Sequence, residues 1–271
     1  MNTFYQLWGV TNPNDAKAII DEQIKSCGIS NPKNLEEQAL CLVGKDIFNL
    51  LIKDYTEKQW GRPCKELPPF IIKRLPIRFT YDNNYFNDIY QGIPIGGYTA
   101  LIKKLLKDVE TRLNIDFIKY YSEYKNVAKK IVYTGKIDEF FNYDSGYLAY
   151  RSLKFETEKL ETNNFQGNAV INYMSSKVPY TRIIEHKHFE FGNQAHTIIT
   201  KEFPQEWNVQ NEAYYPINDE INEKLATEYK KRALQIPNLI FGGRLAEYKY
   251  YDMHQIIAQA LKAAKKEQEN V

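Results

Sequence analysis

Cysteine is scarce in this chain: Cys27, Cys41 and Cys64 are the three among 271 residues. They are odd in number and form no C-x-x-C, which excludes a disulfide framework and makes thiols of a reducing, cytoplasmic setting the simplest reading. An excess of one charge is lacking too, with 36 Lys and Arg against 34 Asp and Glu and a net charge of +2. A nucleic-acid binder carries a basic stripe, whereas the pairs Lys103-Lys104, Lys129-Lys130 and Lys230-Lys231 read as solvated faces. No apolar run approaches the roughly 18 residues of a membrane helix, and no signal peptide opens the sequence. No G-x-G-x-x-G occurs anywhere, so the usual dinucleotide fingerprint is missing. Nor does a Ser-His-Asp set, an acid/base pair of carboxylates or a nucleophilic cysteine emerge, as suits an enzyme whose hard chemistry belongs to a cofactor.

What is abundant is tyrosine, 21 residues, with aromatics at 14% of the chain. Such a chain can stack on a base or a flavin, although a tyrosine-rich core has the same composition. The length allows one large core or two modest ones.

The first sixty-odd residues read as helical. Asn12-Pro13 opens a helix that Gly28 closes. Asn34 caps the next, with Glu37 completing a capping-box pattern. Apolar residues recur at Leu35, Ala39, Leu42 and Val43 and again at Ile47, Leu50, Leu51 and Tyr55, with Gly44 dividing two helices. Prolines at 68, 69 and 76 then break regular structure, and Ile77 to Tyr81 reads as a strand. Gly96-Gly97 introduces a helix over Thr99 to Lys107, with Leu101, Ile102, Leu105 and Leu106 expected to face inward.

The pattern then turns to β. Lys130 to Gly135 reads as a buried strand ending in a turn, and Ser152 to Thr157 alternates as a half-exposed antiparallel strand should. Asn168 to Tyr173, Thr181 to His186 and Thr197 to Glu202 repeat that style. A polar amphipathic helix over Asn218 to Gln235, a strand at Leu239 to Phe241 and a closing helix from Asp252 to Gln268 follow. There is no internal repeat. The sum is a helical part, an antiparallel sheet part, and α/β pieces at 95–145 and 214–271 that lack a first strand and its glycine-rich turn.

Several segments carry chemistry. Leu239-Ile240-Phe241-Gly242-Gly243-Arg244 ends an apolar run at a double glycine and an arginine, ahead of Tyr248, Tyr250, Tyr251, Asp252 and a helix. That layout suits an anion, since glycine permits close backbone approach, a helix start offers N–H groups and arginine clamps phosphates. Tyr55 and Trp60 in Tyr55-Thr56-Glu57-Lys58-Gln59-Trp60-Gly61-Arg62 sit at a helix end and could sandwich a planar ring. By composition alone, an aromatic pair packed in a core is the plainer reading. Arg74 lies in a proline-flanked basic loop, which would make a sensible hinged lid, although from the residues alone a solvent-facing arginine is the plainer reading. His186 and His188 would share one strand face, but no third ligand accompanies them, and no metal is expected.

The octapeptide 55–62, the run Phe70-Ile71-Ile72-Lys73-Arg74-Leu75-Pro76, Arg78 to Phe86, and Tyr90-Gln91-Gly92-Ile93-Pro94-Ile95-Gly96-Gly97-Tyr98 together resemble the UDP-galactopyranose mutases. So do Tyr150 to Glu156, Phe165 to Asn172, Pro179 to His188 and the terminal Gly242-Gly243-Arg244 segment. The likeness covers essentially the whole chain. Asp54, where glycine is more usual, and Pro63 are mild departures, whereas the opening βαβ unit with its FAD-binding glycine turn has no counterpart.

The resemblance implies a mixed α/β (α+β) fold: an incomplete Rossmann-like FAD-binding layer with an inserted helical-bundle domain and an antiparallel β-sheet domain. The helical domain would span 1–66, and a mobile loop with strands of the substrate sheet 67–94. Parts of the FAD-binding domain would fall at 95–145 and 214–271, and the substrate sheet at 146–213. It implies a flavin-dependent isomerase that interconverts UDP-galactopyranose and UDP-galactofuranose through a flavin N5–sugar adduct, with no net redox change. By the same resemblance Arg74, Arg182 and Arg244 hold the diphosphate. Tyr55, Trp60, Tyr85, Phe86, Asn172, Tyr215 and Tyr250 bind substrate, and Tyr133, Thr134, Gly135, Gly243, Arg244, Asp252 and Met253 approach the FAD. A homodimer in the cytoplasm serving galactofuranose-containing surface polysaccharide is the expected setting, with no nucleic-acid or membrane partner. The alternative is a truncated, non-catalytic UDP-sugar-binding fragment with exposed apolar helix faces. A metal-dependent sugar-nucleotide transferase would want a D-x-D pair and ranks last.

Overall fold

Asn12 starts the first long helix as the sequence predicts. In this computed structural model, which describes residues 1–72, 77–82 and 87–269, the Asn12 side chain accepts from the Asp15 N–H at 3.0 Å. Helices α1 (Asn2–Trp8), α2 (Pro13–Cys27), α3 (Leu35–Ile47), α4 (Asp54–Trp60) and α5 (Gly97–Leu105) precede the sheet strands. Gly28 ends α2 in the left-handed conformation. At the start of α3, Asn34 accepts from the Glu37 N–H at 3.0 Å, and the Glu37 carboxylate reaches back to the Lys33 N–H rather than to the cap itself. Gly44 breaks α3 at φ 75°, ψ 175°.

The chain divides into two compact units, one of Met1–Lys107 with Lys154–Pro204, the other of Asp108–Leu153 with Gln205–Val271. In the first, Ala16 and Ile20 of α2 and Leu35, Ala39, Val43 and Ile47 of α3 are buried. Asp46 fastens the pair, receiving Gln23 Nε2 at 2.7 Å and Trp8 Nε1 at 3.1 Å. Between α3 and α4 a π-type turn over Phe48–Lys53 shifts the buried face to Phe48 and Ile52 and leaves Leu50 exposed. The spacing of Ile47, Leu50, Leu51 and Tyr55 does not anticipate that shift, because an i→i+5 turn inserts one residue into the helical repeat.

Strands β1 (Ile131–Tyr133), β2 (Tyr150–Leu160), β3 (Val170–Asn172), β4 (Arg182–Glu185), β5 (Thr197–Glu206), β6 (Tyr215–Pro216) and β7 (Leu239–Phe241) make two sheets. One is five-stranded in the order β3-β4-β5-β2-β6; the other pairs β1 with β7 in parallel. In the larger sheet β2–β6, β3–β4 and β4–β5 pair antiparallel. The mixed α/β class is therefore as the sequence indicates.

The second unit also holds α6 (Tyr121–Tyr124), α7 (Ile137–Phe140), α8 (Glu220–Ala233) and α9 (Met253–Glu269). Its core gathers Ile137, Leu148, Tyr150, Ala226, Tyr229 and Tyr248. From α8 come Asn222, Ala226, Tyr229 and Ala233, a stripe at helical spacing. The hydroxyls of these three tyrosines all have partners, as burial demands. Tyr150 donates to the Asp138 carboxylate at 2.9 Å, Tyr229 to the Gly146 carbonyl at 2.7 Å, and Tyr248 lies 2.8 Å from the Ile217 carbonyl. Burial pushes the Asp138 carboxyl above its ordinary value.

Four local expectations fail. Ile77 to Tyr81 forms no strand, and the Thr80 carbonyl there accepts from the chain's amino terminus at 2.8 Å. Leu101, Ile102 and Leu105 of α5, and Leu106 just after it, are exposed rather than inward, and α5 buries no residue. In β1 only Tyr133 is buried, with Val132 61% exposed. In β2 burial does not alternate: Tyr150, Arg151 and Ser152 are all buried and residues 154–159 are all exposed.

Candidate functional site

The candidate residues divide between the two units. Arg74, Tyr85 and Phe86 lie outside the described residues.

In the first unit, α4 ends at Gly61, in the left-handed conformation with its N–H on the Glu57 carbonyl at 2.8 Å. The helix carries Tyr55, half-buried, and Trp60, only 8% exposed. The pair as it stands is packed rather than open on both faces, so the aromatic sandwich of two exposed rings is not present. Tyr55 instead meets Arg182, whose Nη2 donates to the tyrosine hydroxyl at 3.0 Å. The same guanidinium places Nε 3.2 Å from Glu202 Oε1. Register explains the grouping, since Arg182 on β4 stands opposite Asn172 on β3 and Glu202 on β5. Asn172 is exposed and Glu202 buried, with Thr181 Oγ1 donating to Glu202 Oε1 at 3.0 Å. The fold thus brings Tyr55 to the strand pair of Asn172 and Arg182, far along the sequence. It adds Glu202, a residue that the alternating strand pattern alone does not single out.

His186 and His188 do not share a strand face, because the chain turns into a 3-10 helix over His186–Phe189. His186 Nε2 lies 2.7 Å from Thr200 Oγ1, and His188 Nε2 3.0 Å from Glu185 Oε2. Glu185 is fully buried. Burial alone would raise its carboxyl, yet the N–H groups of Gln166 and Phe165 with Thr197 and His188 outweigh that and bring it down to about 2. Among the described residues no three His, Cys, Asp or Glu side chains gather as a metal site. The Cys64 thiol is pushed up to about 12 by burial and then by Glu57 and Glu36, which suits packing rather than nucleophilic attack.

In the second unit, β1 and β7 run parallel, so Thr134-Gly135 and Gly242-Gly243 leave the carboxyl ends of adjacent strands. That edge is where open α/β sheets bind ligands. Gly243 adopts φ 93°, and a Cβ there would lie 3.5 Å from the Thr134 Cβ. Thr134 is exposed. Tyr133, by contrast, is locked among Phe117, Phe140 and Phe241, with its hydroxyl on the Lys136 carbonyl at 3.2 Å. Burial first, then nearby carboxylates, raise its pKa, and only its backbone is left to meet a cofactor.

Arg244 is engaged by two backbone carbonyls. Nη1 donates to the Tyr214 carbonyl at 3.2 Å and Nη2 to the Tyr251 carbonyl at 2.6 Å. The guanidinium stands 4.6 Å over the Tyr250 ring, which packs edge-on against buried Tyr215 at 5.9 Å. Two of its five N–H donors are spent on carbonyls, so it serves as a loop organiser as well as a charge. The double-glycine amides are also used internally, Gly242 N–H by the Tyr133 carbonyl and Gly243 N–H by the Glu247 carboxylate. Asp252 precedes α9, its N–H held by Gln255 Oε1 at 2.9 Å, and Met253 is 62% exposed at the first helical position.

Comparison with known proteins gives these arrangements a family. The sequence profile described as UDP-galactopyranose mutase matches residues 50–250. A probable UDP-galactopyranose mutase of Klebsiella pneumoniae is 39% identical over 97% of this chain and 68% of its own length. A dTDP-fucopyranose mutase of Escherichia coli is 35% identical over 97% of this chain and 71% of that protein. In fold, the chain is similar to a crystal structure of reduced UDP-galactopyranose mutase, with a TM-score of 0.67 over 95% of this chain and 72% of that one at 13% identity. By its profile match and by relatives aligned along nearly its whole length, the chain belongs to the UDP-galactopyranose mutase family.

Proposed function

We propose that this chain is a flavin-dependent isomerase that interconverts UDP-galactopyranose and UDP-galactofuranose by ring contraction, with no net redox change. One observation carries the reading at residue level: Arg182 is held by the Tyr55 hydroxyl at 3.0 Å and by Glu202 at 3.2 Å. A cation already oriented beside an aromatic helix end suits a nucleoside diphosphate, because little ordering remains for the ligand to drive. Tyr55, with the buried Trp60, takes the uridine side, and exposed Asn172 and Arg182 take the sugar-phosphate side. Arg74, Tyr85 and Phe86 join this set on the resemblance alone.

In the second unit Arg244, Tyr215 and Tyr250 serve the diphosphate. Thr134, Gly135, Gly243, Asp252, Met253 and the Tyr133 backbone form the cofactor side. These residues fit a planar cofactor, since Gly243 at φ 93° adopts a conformation that side-chain-bearing residues rarely take, and its bare backbone lets a ligand approach closely. FAD in its reduced form, when bound, supplies nucleophilic character toward the anomeric carbon. The chain's own groups do the rest. Arg74, Arg182 and Arg244 stabilise the charge that grows on the diphosphate as the glycosidic bond breaks, and the tyrosine hydroxyls donate to it. Tyr55 retains UDP for its return, an advantage of proximity. In the same proposal β1, β7 and α9 are part of a Rossmann-like layer, and residues 1–66 an inserted helical bundle.

A homodimer is part of this reading, and so is a cytoplasmic location. No helix among the described residues is long and apolar enough to cross a membrane. A second reading, dTDP-fucopyranose as substrate, is favoured by the 35% identity to the Escherichia coli enzyme. Parallel assays with the two nucleotide sugars decide between them. The flavin part is tested by incubating the purified chain with FAD, desalting, and recording the visible spectrum before and after dithionite. A retained band that bleaches is expected; an empty spectrum would replace the isomerase with a UDP-sugar-binding fragment.

A further inference from the structure

Two charged residues of α4, Asp54 and Lys58, have no part in the roles proposed so far. They lie one helical turn apart on either side of Tyr55 and Thr56, a spacing that puts them on one face. The Lys58 ammonium donates to three carbonyls, Tyr173 at 2.8 Å, Val178 at 2.9 Å and Ser175 at 3.0 Å. Those are all the N–H groups an ammonium has. Asp54 Oδ2 accepts from the Ser176 N–H at 3.0 Å. A cation therefore gathers the carbonyls of the 173–178 turn while an anion takes the amide in its middle. Bonds of this charged kind are the stronger class.

The fastened turn joins β3 to β4, directly beyond the pair Asn172 and Arg182 that face each other at the hairpin's end. It is also folded on itself, Val178 N–H to the Ser175 carbonyl at 3.2 Å and Tyr173 N–H to the Thr181 carbonyl at 2.9 Å. Along one turn of α4, then, Asp54 and Lys58 hold the hairpin tip while Tyr55 touches Arg182. A surface ion on a helix is ordinarily worth little. Here burial is the leading influence on Lys58 and lowers its pKa, as expected for an ammonium drawn from water into a ring of carbonyls.

We propose that Asp54 and Lys58 are positioning residues for nucleotide binding: they fasten the 173–178 turn to α4 and so fix the spacing between Tyr55 on the helix and Asn172 and Arg182 on the hairpin. This rests on the reading of Tyr55 and Arg182 as the nucleotide side. Neither Asp54 nor Lys58 touches the ligand. They preset the relative placement of Tyr55, Asn172 and Arg182, which lowers the ordering cost of binding.

The test is UDP affinity by calorimetry together with KM and kcat for UDP-galactose, on Lys58→Met, Lys58→Arg, Asp54→Ala, Tyr55→Phe and Arg182→Gln. Lys58→Met should raise the UDP Kd and the KM by about tenfold, with kcat nearly unchanged, as loss of uniform binding does. Lys58→Arg should recover part of that, and Asp54→Ala should give a smaller rise of about threefold. If Lys58→Met does not fold, the Asp54→Ala and Lys58→Arg shifts in Kd decide the same question. Unchanged UDP affinity in the Asp54 and Lys58 variants, while Tyr55→Phe and Arg182→Gln bind weakly, overturns the positioning role alone. Unchanged affinity in Tyr55→Phe and Arg182→Gln overturns the nucleotide reading, and the positioning role with it.

Discussion

Arg182 is held by two different partners at once, a neutral hydroxyl and a carboxylate, and that shape is specific to guanidinium. A lysine in its place offers one point charge and cannot span both Tyr55 and Glu202. Arg182→Lys should weaken UDP binding by about tenfold, equivalent to about 1.4 kcal/mol, as measured by calorimetry. Wild-type affinity in that variant would contradict the role. Glu185 sets a pH dependence of another kind. Its ordinary value is 4.5 and its folded value about 2. The fold favours the ionised form, so its stabilising contribution is complete above pH 4.5 and disappears as pH falls toward 2. Thermal melts across that window should show Glu185→Gln losing less stability on acidification than the parent; parallel curves would refute this. Tyr55, Asn172 and Arg182 stand out in the sequence through the family resemblance of the segments around them, and their grouping comes from the fold. Glu202, Asp54 and Lys58 do not, because a charged residue on a helix or strand reads as solvated until its partner is known, and the carbonyls that Lys58 meets lie far along the chain.

Among the elements, local signals read well wherever they are self-contained. Asn12, Gly28 and Asn34 mark helix ends by geometry set within a few residues, and the strand at Leu239–Phe241 is bounded by its own apolar run. Gly44 is legible as a break, and its replacement gives a measurable outcome. With φ at 75° and Gln23 Cβ 2.8 Å from where a Cβ would sit, Gly44→Ala should cost about 1–3 kcal/mol. Chemical denaturation of the variant checks this, and an unchanged midpoint would show that α2 and α3 reseat freely. What periodicity cannot say is whether anything covers an apolar face. The α5 leucines have inward-facing spacing and remain exposed, and Ile77 to Tyr81 has strand composition without forming a strand. A two-residue strand such as Tyr215–Pro216 is too short to leave a pattern, and the π-type turn after α3 erases the helical one.

For the whole molecule, burial is uneven. The second unit packs Tyr150, Tyr229 and Tyr248 into one core, yet α9 buries nothing and shows Met253, Ile257 and Leu261 at 58–67% exposure. The parallel pair β1–β7 has two strands, where parallel sheets are ordinarily covered on both faces. Exposed apolar stripes of this kind promote association. Light scattering after size exclusion should therefore show species larger than 31.9 kDa. Ile257→Glu with Leu261→Lys should shift them toward the monomer, and a parent that is already monomeric would contradict the expectation. The central claim, however, is chemical. Its most direct test is to incubate the purified chain with FAD, dithionite and UDP-galactofuranose and to separate the nucleotide sugars by anion-exchange chromatography. Conversion to UDP-galactopyranose that needs dithionite and is lost in Arg182→Gln is the predicted result. An unaltered furanose peak, from a chain that holds reduced flavin and binds UDP, would contradict it.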